Sequence, residues 1–542
     1  MRWLAVVFAV LVGLGLAPAV ATADPAAQQA IRPVRACGDL VGDYAIPGSA
    51  AHVTAASVVP AGAEPEHCAV QGFVDPAVRF VLNLPTTTYR GRYLQYGCGG
   101  FCGMFFPTPF PDCGPRVGDL AVATTDDGHV GQGPFPPADG SWGADDQAAR
   151  DDFTFRAPHV VSVANKRIIA AFYGAPPAVS YFSGCSNGGR EALLLAQRYP
   201  TDFDGIIAAA PGNVWTGLIG YQAWIARANT NPDGTPVITA AKLPALAAAV
   251  LAACDRLDGL VDRQIDEPRA CRFDPATLRC PGADAPTCLT PTQVEAARKL
   301  YAGPTDARGN RLYPGWQPFG SELAWDGWII PSEFTGPQPL ATALADNYLR
   351  YLGYPIGTPH SSLDRFRFTV AEQLRLLPEG VKANAMNPDL SAFRRAGGKL
   401  IIWHGWSDQA IPPVGTIDYY DRLVERSGGL RETQRFARLF MVPSIAHCQG
   451  GGTLTDFDPI RELVDWVELG RAPERAIATG RDAAGNVTRT RPVFPYPLRA
   501  RYDGAGSIDD AANFGPSRPA PTQDRIHWAG ELQYRLPGPV AR

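Results

Sequence analysis

The sequence predicts an α/β fold in which one mainly parallel sheet is interrupted by a long insertion, and three observations support this prediction. Apolar strand-like runs alternate with helical patterns from Leu94 to about Pro211. From about Gly212 to Gly397 the texture changes, with recurring tryptophan, proline and cysteine and long irregular segments. Strand-like runs then resume at 399–404 and 438–442. We therefore expect strands of the same sheet on both sides of the insertion.

The strand predictions before the insertion rest on short apolar runs. Residues 120–124, 178–182 and 205–210 are continuously apolar or small, which is typical of strands buried on both faces of a parallel sheet. Between the first two of these runs, residues 152–172 have the pattern of an amphipathic helix. Residues 191–198 and 240–254 also read as helices. Alternation of this kind predicts strands joined by crossover helices.

The first 23 residues have the layout of a cleavable secretory signal. A basic residue, Arg2, is followed by an apolar run from Leu4 to Leu16 and by the small residues Ala21-Thr22-Ala23. The apolar run is too short to span a bilayer. We therefore expect residues 1–23 to be removed and the protein to be secreted, without a membrane partner.

Composition excludes some classes of partner. The net charge of the 542 residues is -4, and basic residues are dispersed among acidic ones, so no nucleic-acid surface is expected. Eleven cysteines in an exported chain indicate several disulfides and one thiol left over. No paired zinc-binding spacing occurs. The oligomeric state is left open.

The sequence Gly184-Cys185-Ser186-Asn187-Gly188 has the G-x-S-x-G form of a nucleophile elbow. This pattern also occurs by chance in chains rich in glycine and alanine. Here a predicted strand precedes it and a predicted helix follows it, as the elbow requires. The pattern therefore predicts acyl transfer through Ser186.

A nucleophilic serine needs a base and a carboxylate to orient that base, in the chain order serine, acid, histidine. Asp408 follows the strand-like run 399–404, and its alternative role is an ordinary turn aspartate. His447 follows the next run in a glycine-rich loop. His404 is the rival base, but its place before a glycine favours a structural role at the strand end.

An oxyanion intermediate needs two preorganised backbone donors. Asn187, the residue after the nucleophile, is the first candidate. The loop 97–103, Gly-Cys-Gly-Gly-Phe-Cys-Gly, is the candidate for the second, since glycines let the backbone approach a substrate closely. Within this loop Gly100 is favoured, and a plain flexible loop is the alternative.

A second signature lies in the insertion at 254–265. Three carboxylates, Asp255, Asp258 and Asp262, recur in a turn-forming loop with Gly259. Such oxygen ligands suit calcium. A solvated acidic loop is an equal alternative on these residues alone.

Several of these segments together resemble the tannase and feruloyl esterase family. The resemblance is carried by Gly184-Cys185-Ser186, the Asp408 loop and His447-Cys448. It continues through 125–129, 153–159, 196–205 and 464–468 and covers nearly the whole mature chain. It implies an α/β-hydrolase fold with core segments 24–211 and 398–542 and a lid domain over 212–397.

The resemblance also implies disulfides and metal ligands. The disulfide pairs would be Cys185–Cys448, Cys254–Cys271, Cys280–Cys288 and Cys37–Cys68, with two of Cys98, Cys102 and Cys113 forming another. A structural calcium ion in the lid would be held by Asp255, Asp258, Leu260, Asp262 and Gln264. Arg263 stands where the family usually has glycine.

The function that the resemblance implies is hydrolysis of phenolic esters, with feruloyl esters first. A tannase acting on galloyl esters, or a hydrolase of aromatic monoesters such as mono(2-hydroxyethyl) terephthalate, is the nearest alternative. The acid-bearing substrate should need a lid cation, for which Arg350, Arg365 and Arg367 are available. A secreted calcium-dependent binding protein without turnover is an alternative of another class.

The insertion holds seven aromatic residues that could line an apolar wall, of which two or three are expected to touch substrate. They are Trp215, Tyr221, Trp224, Phe319, Trp325, Trp328 and Phe334.

Overall fold

The computed structural model describes residues 29–107, 109–111, 118–333, 335–518 and 525–541. Its main feature is a mixed sheet of ten strands. These strands are β1 (Gly42–Ile46), β2 (Ser49–Val59), β3 (His67–Val74), β4 (Val78–Pro85), β5 (Arg92–Tyr96), β6 (Leu120–Thr125), β7 (Val179–Cys185), β8 (Gly205–Ala209), β9 (Lys399–Gly405) and β10 (Ala437–Val442). Their spatial order is β1-β2-β3-β4-β6-β5-β7-β8-β9-β10. The predicted secretory signal, 1–23, lies outside the described residues.

The half of the sheet from β6 to β10 is parallel. Its strands are buried almost throughout, as the apolar runs predict, because helices cover both faces. The α-helices in the described part of the chain are α1 (Gln147–Asp151), α2 (Ala157–Tyr173), α3 (Asn187–Arg198), α4 (Trp215–Ala228), α5 (Leu243–Cys254), α6 (Pro291–Ala302), α7 (Leu340–Asn347), α8 (Val370–Arg375), α9 (Leu377–Ala383), α10 (Ser391–Arg395), α11 (Pro413–Arg426), α12 (Leu430–Thr433) and α13 (Ile460–Leu469). The α/β prediction is confirmed.

The helix predicted over 152–172 is divided in the structure. A wider turn of the π type covers Asp152–Arg156, and the regular helix α2 begins after it at Ala157. Pro158 lies in the first turn of α2, and the carbonyl oxygens of Phe153 and Thr154 in the turn before it accept from the Arg190 guanidinium. Helical periodicity alone does not reveal such a change of register.

Strands β1 to β4 form an antiparallel extension at one edge of the sheet. β4 joins the parallel half by pairing antiparallel with β6. The Cys37–Cys68 disulfide ties the segment before β1 to β3. Strand β3 alternates buried and more exposed residues along most of its length, as expected where only one face meets the core.

The insertion falls between two neighbouring strands. β8 ends at Ala209, β9 starts at Lys399, and the two pair in parallel with Ala209 opposite Trp403. Residues of the insertion such as Leu344 and Tyr348 belong to the same buried cluster as the helices on the sheet. The insertion therefore packs directly on the core. Its description as a lid domain over 212–397 stays a prediction.

Beyond β10 the chain forms two hairpins. β11 (Ala476–Arg481) pairs with β12 (Val487–Val493), and β13 (Arg499–Tyr502) pairs with β14 (Phe514–Ser517). Residues from β12 reach the acidic loop of the insertion. Among the described residues, no helix is both long and apolar enough to cross a membrane.

Candidate functional site

Ser186 sits on a strained turn between β7 and α3. Its φ and ψ angles are 65° and -118°, a combination that L-residues rarely adopt. The turn needs glycine at 184, because a Cβ atom there would lie 2.5 Å from the backbone of Gly188. This geometry lifts the serine above the end of the strand, as the elbow pattern predicts.

Asp408 and His447 meet at the carboxyl ends of β9 and β10. His447 Nδ1 lies 2.8 Å from Asp408 Oδ2. The other oxygen of Asp408 accepts the backbone N–H groups of Ala410 and Ile411, each at 2.8 Å. The carboxylate is fully buried. These donors fix it in one orientation, with Oδ2 aimed at the imidazole.

His404 is a second donor to the same carboxylate. Its Nε2 lies 3.1 Å from Asp408 Oδ2 and 2.9 Å from the carbonyl oxygen of Ile411. Both partners are acceptors, so Nε2 carries the hydrogen and Nδ1 accepts from the Thr416 hydroxyl at 2.8 Å. His404 thus has the structural position expected from its place before a glycine.

The charge on Asp408 is stabilised strongly. Burial alone would raise its pKa, but the imidazoles of His447 and His404 hold the pKa of Asp408 well below its usual value. The carboxylate therefore stays ionised at every pH at which the protein is expected to work.

A disulfide joins the two loops that hold the serine and the histidine. Cys185 directly precedes Ser186, Cys448 directly follows His447, and the two cysteines are bonded across 263 residues of sequence. Cross-linking so long a loop restricts the unfolded chain and stabilises by roughly 5 kcal/mol in the chain-entropy description. In the folded protein the bond limits the relative movement of the two loops.

The remaining implied pairs Cys254–Cys271 and Cys280–Cys288 are also bonded in the structure. Cys98 is bonded to Cys102 within the glycine-rich loop. Cys113, the third cysteine of that group, lies outside the described residues.

Ser186 and His447 line one cavity of about 410 Å³. In the described part of the chain the Ser186 hydroxyl makes no hydrogen bond, to His447 or to any other group. In free enzymes this bond is often long and tightens when substrate binds. Both side chains therefore face the same cavity.

Backbone donors surround the position of the serine. Asn187 is the first residue of α3, so its N–H has no partner within the helix. The N–H groups of Gly99 and Gly100 also lack a partner among the described residues. Gly100 has a φ of 57°, and a Cβ atom there would meet the carbonyl oxygen of Pro137 at 2.4 Å. The roles of Asn187 and Gly100 as oxyanion donors stay predictions, with Gly99 as an equally free neighbour.

The glycine-rich loop is held from behind by a buried histidine that the sequence did not mark as functional. His129 Nε2 lies 2.6 Å from the carbonyl oxygen of Phe101, and its ring stacks on Trp142 at 3.6 Å. Burial lowers the pKa of His129 to about 4, so the ring is neutral near pH 7. A neutral ring with its hydrogen on Nε2 acts as a fixed support for the loop.

The walls of the cavity are mainly apolar. Two of the seven predicted lid aromatics, Trp215 and Trp328, line it. Trp328 lies 5.4 Å from the His447 ring and donates its indole N–H to Gln222. Phe334 lies outside the described residues, and the other four predicted aromatics are not cavity residues.

Several wall residues were missed by the sequence reasoning. These are Phe106, Phe135, Leu218, Ile219, Leu340, Leu344 and Ile411. Their sequence surroundings are those of ordinary core residues. They come from both sides of the insertion boundary and meet only in the folded protein.

The three candidate lid arginines do not reach the cavity. Arg350 pairs with Asp346 at 2.6 Å, and neither Arg365 nor Arg367 is a lining residue. No Asp, Glu, Lys or Arg side chain lines the cavity in the ranges that the structure describes. The described wall therefore offers no Lys or Arg countercharge to an anionic ligand.

The five predicted calcium ligands lie together in one loop, but their carboxylates do not converge. Among the described residues, two groups of three or more potential metal ligands have their atoms within 4.8 Å of one another, and neither includes Asp255, Asp258 or Asp262. Asp255 instead accepts the backbone N–H groups of Asp262, Arg263 and Gln264.

The positive charge beside this loop comes from β12. Arg491 Nη2 lies 2.5 Å from Asp262 Oδ2, and Arg489 lies 3.3 Å from the same oxygen. A calcium ion at Asp262 would face these guanidinium groups at close range. Asp262 as placed is therefore paired with arginine, the calcium role of the five residues stays a prediction, and no step of the chemistry below depends on the ion.

We expect EDTA to leave the melting temperature of the purified protein unchanged, because Arg491 and Arg489 already neutralise the Asp262 carboxylate. Differential scanning calorimetry with EDTA and with added calcium measures this. We expect Arg491→Gln to destabilise the protein by about 3–5 kcal/mol, as loss of one partner of a buried ion pair does. A melting temperature that falls with EDTA and recovers with calcium would show instead that the ion binds.

Comparison with known proteins identifies relatives along most of the chain. A family model described as tannase and feruloyl esterase matches residues 65–516. An uncharacterized esterase of Xanthomonas campestris is 34% identical, over 88% of this chain and 90% of its own. A mono(2-hydroxyethyl) terephthalate hydrolase of Piscinibacter sakaiensis is also 34% identical, over 85% and 86%. The crystal structure of feruloyl esterase B from Aspergillus oryzae superposes with a TM-score of 0.74 at 25% identity, covering 86% of this chain and 97% of that one.

Proposed function

The chain belongs to the tannase and feruloyl esterase family and is a carboxylic ester hydrolase with an α/β-hydrolase fold, and from this premise we propose that it hydrolyses esters of hydroxycinnamic acids, feruloyl esters first. The observation that carries the proposal is the cavity at Ser186, whose described wall residues are mainly aromatic and apolar and include no Asp, Glu, Lys or Arg. Its volume of about 410 Å³ is within the range of small-molecule sites.

The proposed reaction passes through an acyl-enzyme. Ser186 attacks the ester carbon while His447 Nε2 takes the serine proton and then gives it to the leaving alcohol. Asp408 holds the hydrogen of His447 on Nδ1, which leaves Nε2 free to accept. The N–H groups of Asn187 and of Gly100 or its neighbour stabilise the oxyanion. Water activated by His447 then releases the acid.

The polarity of the cavity favours a feruloyl group over a galloyl group. The side-chain amide of Gln222 already has protein partners, since it donates to the Ala410 carbonyl oxygen and accepts from the Trp328 indole N–H. Gln449 is the remaining amide at the cavity and is exposed. Three ring hydroxyls of a galloyl group would need more partners than this, because each buried hydroxyl without one costs free energy. A feruloyl ring has one hydroxyl and one methoxy group.

The terephthalate relative favours a second candidate, hydrolysis of an aromatic monoester that carries a free carboxylate. In this chain that carboxylate would enter an apolar cavity in which the described residues place no Lys or Arg. Desolvation of an unpaired charge is costly. We therefore place this activity second, and we place a binding protein without turnover below both.

The proposed setting is extracellular. Five disulfides are present in the described residues, and bonds of this kind persist in oxidising compartments. The layout of residues 1–23 supports export in the same way. The proposed lid over 212–397 contributes Trp215, Trp328 and Leu344 to the cavity wall.

A matched set of substrates tests the proposal. We expect kcat/KM to be highest for methyl ferulate, lower for methyl gallate and lowest for mono(2-hydroxyethyl) terephthalate. The methyl ester of the last compound has the same ring without the charge. We expect it to be cleaved faster than the acid, because the described wall of the cavity contains no Lys or Arg. Faster cleavage of the charged monoester than of its methyl ester, or than of methyl ferulate, would contradict the substrate assignment.

A further inference from the structure

Two buried carboxyl groups lie directly behind the oxyanion donors and take no part in the proposed reaction. Asp127 is 0% exposed and Glu191 is 1% exposed. Their oxygens lie within 4.8 Å of each other and of the sulfur atoms of Cys98 and Cys102. Asp127 follows β6 and Glu191 lies in the second turn of α3. We refer to these two residues as the acid pair.

The acid pair contacts both sides of the oxyanion site. Glu191 Oε1 accepts a 2.6 Å hydrogen bond from the side-chain amide of Asn187 and lies 3.0 Å from Cys98 Sγ. A Cβ atom on Gly97 would lie 2.6 Å from Glu191 Oε2, so the glycine-rich loop rests directly on this carboxyl group. Asp127 Oδ2 lies 3.3 Å from Cys102 Sγ. The sulfur atoms are bonded to each other, so they have no hydrogen to donate.

One oxygen of each carboxyl group has no partner in the described structure. These atoms are Asp127 Oδ1 and Glu191 Oε2, and of the two only Glu191 has a backbone N–H, that of Cys98, near enough to favour its charged form. A buried oxygen without a donor is costly when it is charged. A proton held between the two groups would supply the missing donor, since a protonated carboxyl group donates one hydrogen bond.

The guanidinium group beside the acid pair, that of Arg190, makes its hydrogen bonds to other groups. Arg190 is fully buried and donates to the Asn187 side-chain oxygen and to the carbonyl oxygens of Phe153, Thr154 and Ala383. Its charge lowers the energy of one anion nearby, but it makes no hydrogen bond to either carboxyl group of the pair. One positive charge cannot balance two buried negative ones.

The other charged groups around the pair do not change this balance. Asp126 forms an ion pair with Arg79, and Asp152 forms one with Arg156. His129 is buried and neutral near pH 7. Burial, followed by the charge of the neighbouring carboxyl group, raises the pKa of Asp127 well above its usual value, and burial also raises the pKa of Glu191.

We propose that Asp127 and Glu191 share one proton and that the resulting singly charged pair is a positioning element of the oxyanion hole. Glu191 is the acceptor that holds the Asn187 side chain and the start of α3, and Asp127 carries the proton. This inference rests on the proposed catalytic roles of Ser186 and Asn187. It predicts that loss of the shared proton at alkaline pH places a second negative charge behind the developing oxyanion, which opposes its formation.

The test is the pH profile of kcat with p-nitrophenyl acetate as substrate. It compares wild type with Asp127→Asn, Glu191→Gln and Asp127→Ala, and the Ser186→Ala variant serves as the blank. We expect wild type to lose kcat on the alkaline side. Either amide variant keeps a hydrogen-bonded pair at one negative charge, so it should keep kcat near pH 7 and lack the alkaline loss. Asp127→Ala removes the pair, and we expect kcat to fall about 100-fold at every pH with KM little changed.

The outcomes separate this inference from the proposed function. An alkaline loss that persists in Asp127→Asn, or an Asp127→Ala variant with wild-type kcat, overturns the shared proton while leaving the role of Ser186 intact. Activity that survives in Ser186→Ala overturns the proposed site itself. Infrared spectroscopy gives a readout without turnover: folded wild type should show a protonated carboxyl stretching band near neutral pH that Asp127→Asn lacks, and equal spectra would reject the proposal.

Discussion

Replacement of Ser186 by alanine is expected to lower kcat/KM for methyl ferulate by about 10⁴–10⁶-fold, because loss of a nucleophile removes the covalent route and leaves only the oxyanion donors and substrate binding. Steady-state kinetics with product detection by chromatography measures this. KM, or the dissociation constant of the unhydrolysed ester, should change little, since the hydroxyl occupies a small part of the cavity wall.

Ser183→Ala is the matched control, because Ser183 is on the same strand three residues earlier and does not line the cavity. We expect its kcat/KM to stay within about tenfold of wild type. Substantial turnover by the Ser186→Ala variant would mean that the elbow does not supply the nucleophile. The melting temperature of both variants should be compared first, since the strained backbone at Ser186 tolerates few residues.

Asp408→Asn is expected to lower kcat by about 10⁴-fold, because an amide at this position mismatches its donors. Oδ2 now accepts from His447 Nδ1 and His404 Nε2, while Oδ1 accepts two backbone N–H groups. In asparagine an NH₂ group replaces one of these two oxygens, so on that side a donor would face another donor. If the NH₂ group faces His447, the imidazole moves its hydrogen to Nε2 and can no longer act as a base for the serine.

His404→Gln provides the comparison for this prediction. The glutamine amide can still donate to Asp408, and His447 keeps its own bond, so we expect stability to fall while kcat changes by less than about tenfold. Equal losses of kcat in the two variants would indicate that Asp408 acts only as a structural acceptor. In wild type the Asp408 carboxylate stays charged throughout the neutral range, because the two imidazoles hold the pKa of Asp408 well below its usual value.

The α/β class and the strands of the parallel half could be predicted from sequence because they depend on local composition. The runs at 205–210 and 399–404 correspond to β8 and β9 within one residue at each end. The antiparallel strands β1 to β4 were not marked individually. Their alternation is weaker than a continuous apolar run, and β2 has an irregular register between Val53 and Ala55.

The candidate site was predictable in its chemistry and only partly in its surroundings. Ser186, Asp408 and His447 follow from the order and spacing of motifs at strand ends, and the structure brings the last two within hydrogen-bond distance. The contact of Arg491 with Asp262 joins residues 229 positions apart, which no local pattern reveals. The acid pair likewise joins β6 to α3 through burial that the sequence does not show.

By itself the sequence determined the fold class, the insertion between β8 and β9 and the candidate residues for ester hydrolysis, because periodicity, turn chemistry and motif order are local properties. Only the tertiary structure decided which walls surround Ser186, that no charged side chain from the described residues lines the cavity and that two carboxyl groups lie buried together behind the candidate oxyanion donors. These features depend on which distant side chains meet in a dry interior. There, each unpaired charge must find a partner or take up a proton.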